Sequence, residues 1–370
     1  MKNLVLIQHE PLTERLEKIF CIQDLINAGF SIEYWDISQI CNPGIKLPNL
    51  INRDYVRVIR DVDEFKKKIN ILNPDEYICI VEILFSFENR ALWKIIDKSD
   101  LKIIKFERYG NTAIPSTDSL FLTFFKKIKQ GNLIKKIVRK LLFVLCIRLY
   151  KLRQYDYLVT SANLENVCRV NHPDYDLYLQ DKRAKPLLDY NYIVFIDTGF
   201  GKHPDELFFK GSIKKNDNLL WQNKLCNFFE YIEKLYKIPV VIAVHPKLDY
   251  KDEEFGGRLK IKNATFNLIS NADYVLQDQS NSVSFSILEN KRIGFVATDE
   301  YLKEYGQYMT DLTRLLGLSI FNIDNDNFTN FKFSEIQDEK RKAYIYNYLT
   351  SQETEDKSTS EIFVNFCKSL

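Results

Sequence analysis

Apolar residues recur along the chain in two alternating patterns. Residues 4–8 consist of four consecutive apolar residues and then Gln8, a pattern typical of a strand buried on both faces of a sheet. Residues 10–28 then place apolar side chains three and four positions apart, which predicts an amphipathic helix that ends before Gly29. Strands alternating with helices predict a parallel sheet covered on both faces. Further strands are predicted at 31–36, 55–59, 77–84, 101–106 and 157–160, with helices at 62–71 and 88–98.

The same alternation starts again in the second half of the chain. Strands are predicted at 192–196, 239–244, 274–276 and 293–296, and helices at 219–236, 265–271 and 282–289. We therefore predict an α/β protein with two Rossmann-like parallel-sheet domains that face each other across a cleft. The predicted parts are an N-terminal domain (1–165), a linker (166–190), a second domain (191–335) and C-terminal helices (336–370) that pack back across the seam.

Composition narrows the class of protein. The 370 residues are enough for two domains, and a net charge of +2 argues against a dedicated nucleic-acid-binding protein. Seven cysteines without a Cys-x-x-Cys pair, together with four histidines, give no zinc-ligand spacing and fit reduced thiols in the cytoplasm. We expect neither a signal peptide nor a membrane span, because no apolar run is long enough for either.

One segment, 119–155, is strongly cationic. It contains ten basic residues and no acidic residue, and apolar residues lie between the charges. On a helix, positions 134, 137, 138, 141, 142 and 145 share one face. One interpretation is a helix of the domain with a solvated basic face. The other is a surface that docks on anionic lipid without spanning the membrane.

A histidine stands at the end of a predicted buried strand. Residues 239–247 read PVVIAVHPK, so His245 and Pro246 fall at the carboxyl end of the strand. Pro246 ends the strand because it has no N–H group. Ligands of open α/β sheets bind at this edge, where an imidazole hydrogen-bonds phosphate and Lys247 adds positive charge. The alternative is a histidine that only caps a turn.

A polar turn opens the helix predicted at 282–289. It contains Ser280, Asn281 and Ser282, and Ser284 follows in the first helical turn. The N–H groups at a helix start and the serine hydroxyls suit a phosphate. Because Ser and Asn are also the commonest N-cap residues, an ordinary helix cap is the alternative.

An acidic turn containing glycines, DTGFGKH at 197–203, follows the first strand of the second domain. Gly199 and Gly201 permit a tight turn and a close approach of backbone to a ligand. Asp197 is placed to hold a proton, or alternatively only to shape the turn through its side chain. Lys202 and His203 add basic groups to the same loop.

The order of these features resembles the bacterial GT-B glycosyltransferases of surface polysaccharide (capsule and lipopolysaccharide) synthesis, including the sialyltransferase and Kdo-transferase groups. The resemblance covers residues 190–300 by motif. It implies that the acidic-Gly turn supplies a catalytic base, here Asp197. Thr198 departs from the family pattern, because it replaces the second acid of the common acidic pair. The residues expected to bind the donor are His245, Pro246, Lys247, Ser280, Asn281, Ser282, Ser284, Gly199, Lys202 and His203.

Two residues in the first domain compete with Asp197 as the base. His9 and Glu10 directly follow the first predicted strand, at a carboxyl end. An inverting transferase needs a base for the acceptor hydroxyl, and either residue is able to serve. Glu10 has the alternative role of an acid that complements a helix dipole.

The resemblance implies an inverting, metal-independent glycosyltransferase with no cofactor. We expect it to transfer a sugar from a nucleotide-sugar donor, with a CMP-linked acidic sugar as one candidate, to a glycan or lipid-linked glycan acceptor. We expect a cytoplasmic enzyme, peripheral on the inner face of the membrane at an anionic surface, that binds no nucleic acid. The alternatives are another GT-B enzyme, namely a nucleotide-sugar epimerase or a polyol-phosphate transferase, or a non-catalytic scaffold at the membrane surface.

Overall fold

The structure of the protein is a computed structural model that describes residues 3–41, 50–110, 114, 133–150, 152–181, 185–202 and 215–370. At 133–137, 139–140 and 215–218 it describes the backbone alone. The chain divides into two compact units. The first unit comprises Met1–Gly110, Ser119–Pro173 and Thr350–Leu370, and the second comprises Asn111–Asp118 and Asp174–Leu349.

The first unit is built on a parallel sheet with the strand order 3-2-1-4-5-6-7. Its central strand is a continuous apolar run because both of its faces are covered. Leu4 and Leu6 pack into the core on one side, and Val5 and Ile7 pack into the core on the other. The strands are β1 (Asn3–Gln8), β2 (Ile32–Asp36), β3 (Val56–Val58), β4 (Tyr77–Glu82), β5 (Lys102–Glu107), β6 (Tyr157–Thr160) and β7 (Cys168–Arg169).

Helices cover this sheet, and several begin at side-chain caps. Thr13 accepts a hydrogen bond from the Leu16 N–H group, and Asp61 accepts one from Glu64. The helix predicted at 10–28 is wrong as a single element, because Cys21 adopts a left-handed φ of 52° and separates two short helices. The helices are α1 (Glu14–Ile19), α2 (Ile22–Asn27), α3 (Ser38–Cys41), α4 (Val62–Asn70), α5 (Arg90–Asp97) and α6 (Leu133–Tyr150).

The second unit repeats the architecture with a parallel sheet of six strands. Numbered within the unit, its strand order is 3-2-1-4-5-6, which is the Rossmann order. The strands are β8 (Ile193–Ile196), β9 (Val240–Val244), β10 (Lys260–Lys262), β11 (Tyr274–Gln277), β12 (Arg292–Ala297) and β13 (Ile320–Asn322). The helices are α7 (Pro173–Asp181), α8 (Lys215–Tyr236), α9 (Thr265–Asn271), α10 (Val283–Leu288), α11 (Asp299–Leu316) and α12 (Asp338–Tyr344), the last followed by a π-helical turn (Ile345–Leu349).

The predicted fold class, two Rossmann-like parallel-sheet domains, is confirmed. The pattern did not predict the short strands β7, β10 and β13 or the long helix α11. Within the predicted linker at 166–190, the structure has β7 and α7. Across the described residues, no helix is long and apolar enough to cross a membrane.

The C-terminal residues return to the first unit. Helix α13 (Thr359–Ser369) packs Phe363 and Cys367 into the core beside β1. A buried polar cluster fixes this return: the Arg108 guanidinium is 5% exposed and donates to the Thr359 hydroxyl (3.2 Å) and to the Asn171 carbonyl (3.3 Å). Asn171 in turn donates to the carbonyl of Lys357 at 2.7 Å. The predicted C-terminal part 336–370 is therefore divided, with α12 in the second unit and α13 in the first.

Candidate functional site

Two acids mark the point in the second sheet where the strand order reverses. Strands β8 and β11 are neighbours there, and Ile196 lies opposite Gln277 in the parallel register. Asp197 and Asp278 come next on the two strands, at their carboxyl ends. This switch point is where open α/β sheets bind ligands.

Asp197 is 2% exposed and occupies the floor of this edge. Its Oδ1 accepts a hydrogen bond from the Gly199 N–H group at 2.9 Å, while no described residue gives its Oδ2 a hydrogen-bond partner. Burial raises the pKa of Asp197 to about 6, and the hydrogen bond from the Gly199 N–H group opposes this rise. The Asp197 carboxyl group therefore shapes the turn through Oδ1, and it is protonated more easily than an exposed aspartate.

Asp278 is equally buried and belongs to a network of hydroxyl groups. Its Oδ2 accepts a hydrogen bond from Thr198 Oγ1 at 2.8 Å, and Thr198 Oγ1 lies 3.3 Å from the Tyr301 hydroxyl. The Tyr301 hydroxyl also accepts from the Gln279 N–H group at 3.1 Å. Burial raises the pKa of Asp278 well above its ordinary value, and the negative charge of Asp197 raises it further. Asp197 and Asp278 thus form a buried acid pair on adjacent strands.

The glycine-containing turn after β8 has the backbone that its sequence predicts. Gly199 and Gly201 have φ values of 73° and 75°, and the Lys202 N–H group donates to the Gly199 carbonyl at 2.8 Å. The Lys202 ammonium forms an ion pair with Glu254 and lies 4.2 Å from the centre of the Tyr250 ring. Burial opposes ionisation of Glu254, but the Lys202 hydrogen bond holds the pKa of Glu254 below its usual value. His203 lies outside the described residues.

His245 lies at the carboxyl end of β9, as its sequence context predicts. Its Nδ1 accepts a hydrogen bond from the Lys247 N–H group at 3.2 Å. Since a backbone N–H is always the donor, the neutral imidazole carries its proton on Nε2. His245 is partly exposed, and Pro246 and Lys247 are exposed. This tautomer makes Nε2 a hydrogen-bond donor at the edge of the sheet.

The serine-rich turn is only partly placed for a ligand. Ser280 Oγ accepts a hydrogen bond from the Ser282 N–H group at 3.2 Å, and Ser282, the N-cap residue of α10, makes no side-chain capping bond. Asn281 is exposed. Ser284 is fully buried, and its hydroxyl donates to the Asn281 carbonyl at 3.1 Å. The structure therefore places the Ser284 side chain inside α10, which is six residues long, and its contact with the donor stays a prediction.

The first unit has its own polar cluster at the corresponding switch point, between β1 and β4. His9 follows β1, and its Nδ1 lies 2.5 Å from the Glu82 carbonyl oxygen. A carbonyl only accepts, so Nδ1 carries the proton and Nε2 is the basic nitrogen of the neutral ring. Nε2 lies 3.9 Å from a Glu10 carboxylate oxygen, and both side chains are partly exposed. Burial raises the pKa of the Glu82 carboxyl to about 8.

Sequence reasoning missed Asp278, Tyr301 and Glu82. Asp278 and Glu82 carry a signal that was available, because Asp278 closely follows a predicted strand and Glu82 is an acid near the end of another. Tyr301 has no such signal, since it lies in α11, a helix that the pattern did not predict.

Two Asp-x-Asp triplets in the sequence, a pattern that can bind a metal ion, contain aspartates with structural roles. In the triplet at 61–63, Asp61 caps α4, and in the triplet at 324–326, Asp324 pairs with Lys224 at 2.9 Å. Among the described residues, no group of three or more His, Cys, Asp or Glu side chains is arranged to hold a metal ion.

Comparisons with known proteins give structural likenesses only. No protein-family model and no curated protein matches the chain. UDP-GlcNAc 2-epimerase from Methanocaldococcus jannaschii, solved with UDP-GlcNAc and UDP, is 12% identical, with 100% of both chains covered and a TM-score of 0.46. The glycosyltransferase SnogD from Streptomyces nogalater is 10% identical, with 100% of both chains covered and a TM-score of 0.49. The wall teichoic acid polymerase TagF is 12% identical over 100% of this chain and 90% of that chain, with a TM-score of 0.48. Likenesses at this level carry no conclusion about activity.

Proposed function

We propose that the chain is a glycosyltransferase that transfers a sugar from a nucleotide-activated donor to a bacterial surface glycan. One observation carries this proposal: His245, the buried acid pair and the Gly199 turn lie at the carboxyl edge of a Rossmann-ordered sheet, around its switch point. Such an edge suits a nucleotide phosphate. A CMP-linked acidic sugar is the first donor to test.

The donor phosphate is assigned to His245 Nε2–H and the exposed Lys247, with Ser280, Asn281 and Ser282 beside them. Hydrogen bonds to a phosphate from an imidazole N–H and an ammonium stabilise the charge that develops as the nucleotide leaves. Such donors replace a metal ion in this role, so we propose metal-independent transfer. Lys202 is assigned to positioning the turn, because its ammonium already pairs with Glu254.

The acceptor proton is assigned to His9 rather than to Asp197. The hydrogen bond from Nδ1 to the Glu82 carbonyl makes Nε2 the basic nitrogen, and His9 is 40% exposed. Asp197 is buried, and its Oδ1 already accepts the Gly199 N–H group. In the proposed inverting step, Nε2 takes the proton of the acceptor hydroxyl, the new glycosidic bond forms, and the bond to the nucleotide phosphate breaks. Glu10 stabilises the imidazolium that results.

Calorimetry with CMP, UDP and GDP tests the donor site. We expect one of the three to bind, and His245→Ala to weaken binding while leaving the melting temperature near that of the wild type. The proposal would be overturned if neither these nucleotides nor their sugar conjugates bind. A large loss of stability in His245→Ala would instead support a turn-capping histidine.

Product analysis separates transfer from epimerisation. The donor is incubated with the protein alone and then with candidate glycan and lipid-linked glycan acceptors. A transferase yields a glycosylated product only when acceptor is present. Conversion of the donor sugar to an epimer without acceptor would assign the protein to the epimerases instead. For the acceptor we propose a glycan at the inner face of the cytoplasmic membrane, with the enzyme held there peripherally.

A further inference from the structure

Helix α6 has one face packed against the first unit. The Phe143 ring packs edge-on against Phe85 with centroids 5.0 Å apart, and Cys146 is 7% exposed in the core. Further along the same face, the Lys94 ammonium lies 3.4 Å from the centre of the Tyr150 ring. Positions 143, 146 and 150 follow helical spacing, so one side of α6 is fixed to the protein.

A second face of α6, beside the packed one, is apolar and exposed. Its side chains are between 42% and 69% exposed, and their spacing places them in one continuous stripe. Single exposed leucines are ordinary on protein surfaces, but a stripe of this kind marks an interaction surface. We call these residues the α6 stripe: Val138 (47%), Leu141 (63%), Leu142 (42%), Leu145 (52%) and Leu149 (69%).

The charge of the helix determines what fits the stripe. The sequence of α6 contains five basic residues and no acidic residue, and Arg148 is exposed. A second copy that presented the same face would bring positive charge against positive charge. An anionic bilayer complements both properties, because its acyl region takes up leucines and its headgroups attract basic side chains.

We propose that the α6 stripe inserts into the surface of an anionic phospholipid bilayer, with α6 lying in the plane of the membrane. This inference rests on the peripheral location in the proposed function and adds to it the docking surface and the class of lipid. We expect the stripe to enter the headgroup and acyl boundary by roughly 5–10 Å, as the apolar faces of interfacial helices do. The docking needs no nucleotide, so it is testable apart from catalysis.

The test is co-flotation of the full chain with vesicles of phosphatidylcholine alone or mixed equally with phosphatidylglycerol. We compare the wild type with Leu141→Ser/Leu145→Ser and with the matched control Leu187→Ser/Leu235→Ser. The control leucines are similarly exposed, at 54% and 51%, but lie in the second unit. Circular dichroism and thermal unfolding verify that all three proteins fold alike.

We expect the wild type and the control to float with the anionic vesicles, and the α6 variant to lose binding by roughly 10- to 100-fold. Binding should also weaken as salt rises, since each basic residue near the surface contributes about fivefold. Equal flotation of the α6 variant and the wild type would overturn the proposal. So would a concentration-dependent dimer of the wild type that the α6 variant abolishes, because the stripe would then belong to a second copy.

Nucleotide calorimetry on the same three proteins keeps the two proposals apart. If the α6 variant binds nucleotide as the wild type does but fails to float, the docking surface stands on its own evidence. If nucleotide binding is absent from all three while the wild type and the control float and the α6 variant does not, the donor proposal fails and the docking surface stands.

Discussion

The two sheets share one strand order around their switch points, yet the polar groups at their carboxyl edges are opposite in kind. In the first unit, His9 donates through Nδ1 to a carbonyl, which leaves Nε2 basic, and its neighbour Glu10 is acidic. In the second unit, His245 accepts through Nδ1, which leaves a proton on Nε2, and Lys247 follows. Topology therefore fixes where chemistry occurs, while the backbone group beside each imidazole decides whether it takes or gives a proton.

The acids differ as well. At the first switch point lies Glu82, a partly buried acid whose Oε1 accepts a hydrogen bond from the Phe106 N–H group at 2.9 Å. The second has the pair Asp197 and Asp278, in which burial raises the pKa of Asp278 and the negative charge of Asp197 raises it further. One backbone N–H group stabilises the carboxylate of Glu82. The pair Asp197 and Asp278 is less costly to bury when one of its two carboxyl groups is protonated.

Removal of His9 should have the largest effect. We expect His9→Ala to lower kcat by about 10²- to 10⁴-fold, because a positioned general base contributes that much. Nucleotide affinity should stay within about twofold, since donor binding is assigned to the second unit. Steady-state kinetics and calorimetry measure the two effects. If His9→Ala lowers nucleotide affinity and leaves kcat intact, the assigned division of roles between the two imidazoles is wrong.

The buried acid pair should make the second unit less stable as pH rises. A folded-state pKa of about 6 for Asp197, against an ordinary 3.8, gives stability that is complete below pH 3.8 and lost as pH rises through 6. This loss corresponds to about 3 kcal/mol. Asp197→Asn should remove this pH dependence, because an amide does not titrate in this range and its oxygen still accepts the hydrogen bond from the Gly199 N–H group.

Urea unfolding between about pH 4 and pH 8 measures this effect. The control is Asp249→Asn, since the Asp249 side chain is 91% exposed and should leave the pH profile unchanged. An identical pH profile in the wild type and Asp197→Asn would contradict a raised pKa at this position.

Loss of His245 should weaken binding rather than turnover. We expect His245→Ala to lower nucleotide affinity by about 10- to 100-fold, the loss of one hydrogen bond to a charged phosphate. His245→Gln retains an N–H donor and should recover part of the affinity. Calorimetry on both variants decides the point. Equal nucleotide affinities of His245→Ala and the wild type would show that His245 does not bind the phosphate.

The sequence predicted the sheets well because buried parallel strands are continuous apolar runs. The strand at 157–160 and the helix at 265–271 have their predicted bounds. Prediction failed where the sequence pattern is short, or where tertiary contacts rather than local sequence determine the backbone. The helix predicted at 10–28 breaks at Cys21, which has a left-handed backbone although it is not a glycine, so the sequence does not indicate the break. Strands β7, β10 and β13 are only two or three residues long.

The candidate site was predictable in position but not in proton placement. The strand context placed His245 at the sheet edge, but its tautomer depends on the Lys247 N–H group, which only the folded turn brings to Nδ1. Asp278 became part of a pair only through the register of β8 with β11. Ser284 lies in a serine-rich helix start that is typical of a phosphate site, but its side chain is fully buried, which the sequence pattern does not indicate.

The smallest expected effect belongs to Glu10, and it sharpens the contrast between the two histidines. The Glu10 carboxylate lies 3.9 Å from His9 Nε2, and both side chains are at least one-third exposed. An ion pair this exposed is worth about 0.2–1 kcal/mol, so Glu10→Gln should lower kcat by at most about fivefold. Because screening weakens exposed charges, the difference from the wild type should shrink as salt rises. Steady-state kinetics at low and high salt measure it, with Glu14→Gln as the control in the adjacent helix. A loss as large as that of His9→Ala would transfer the role of base from His9 to Glu10.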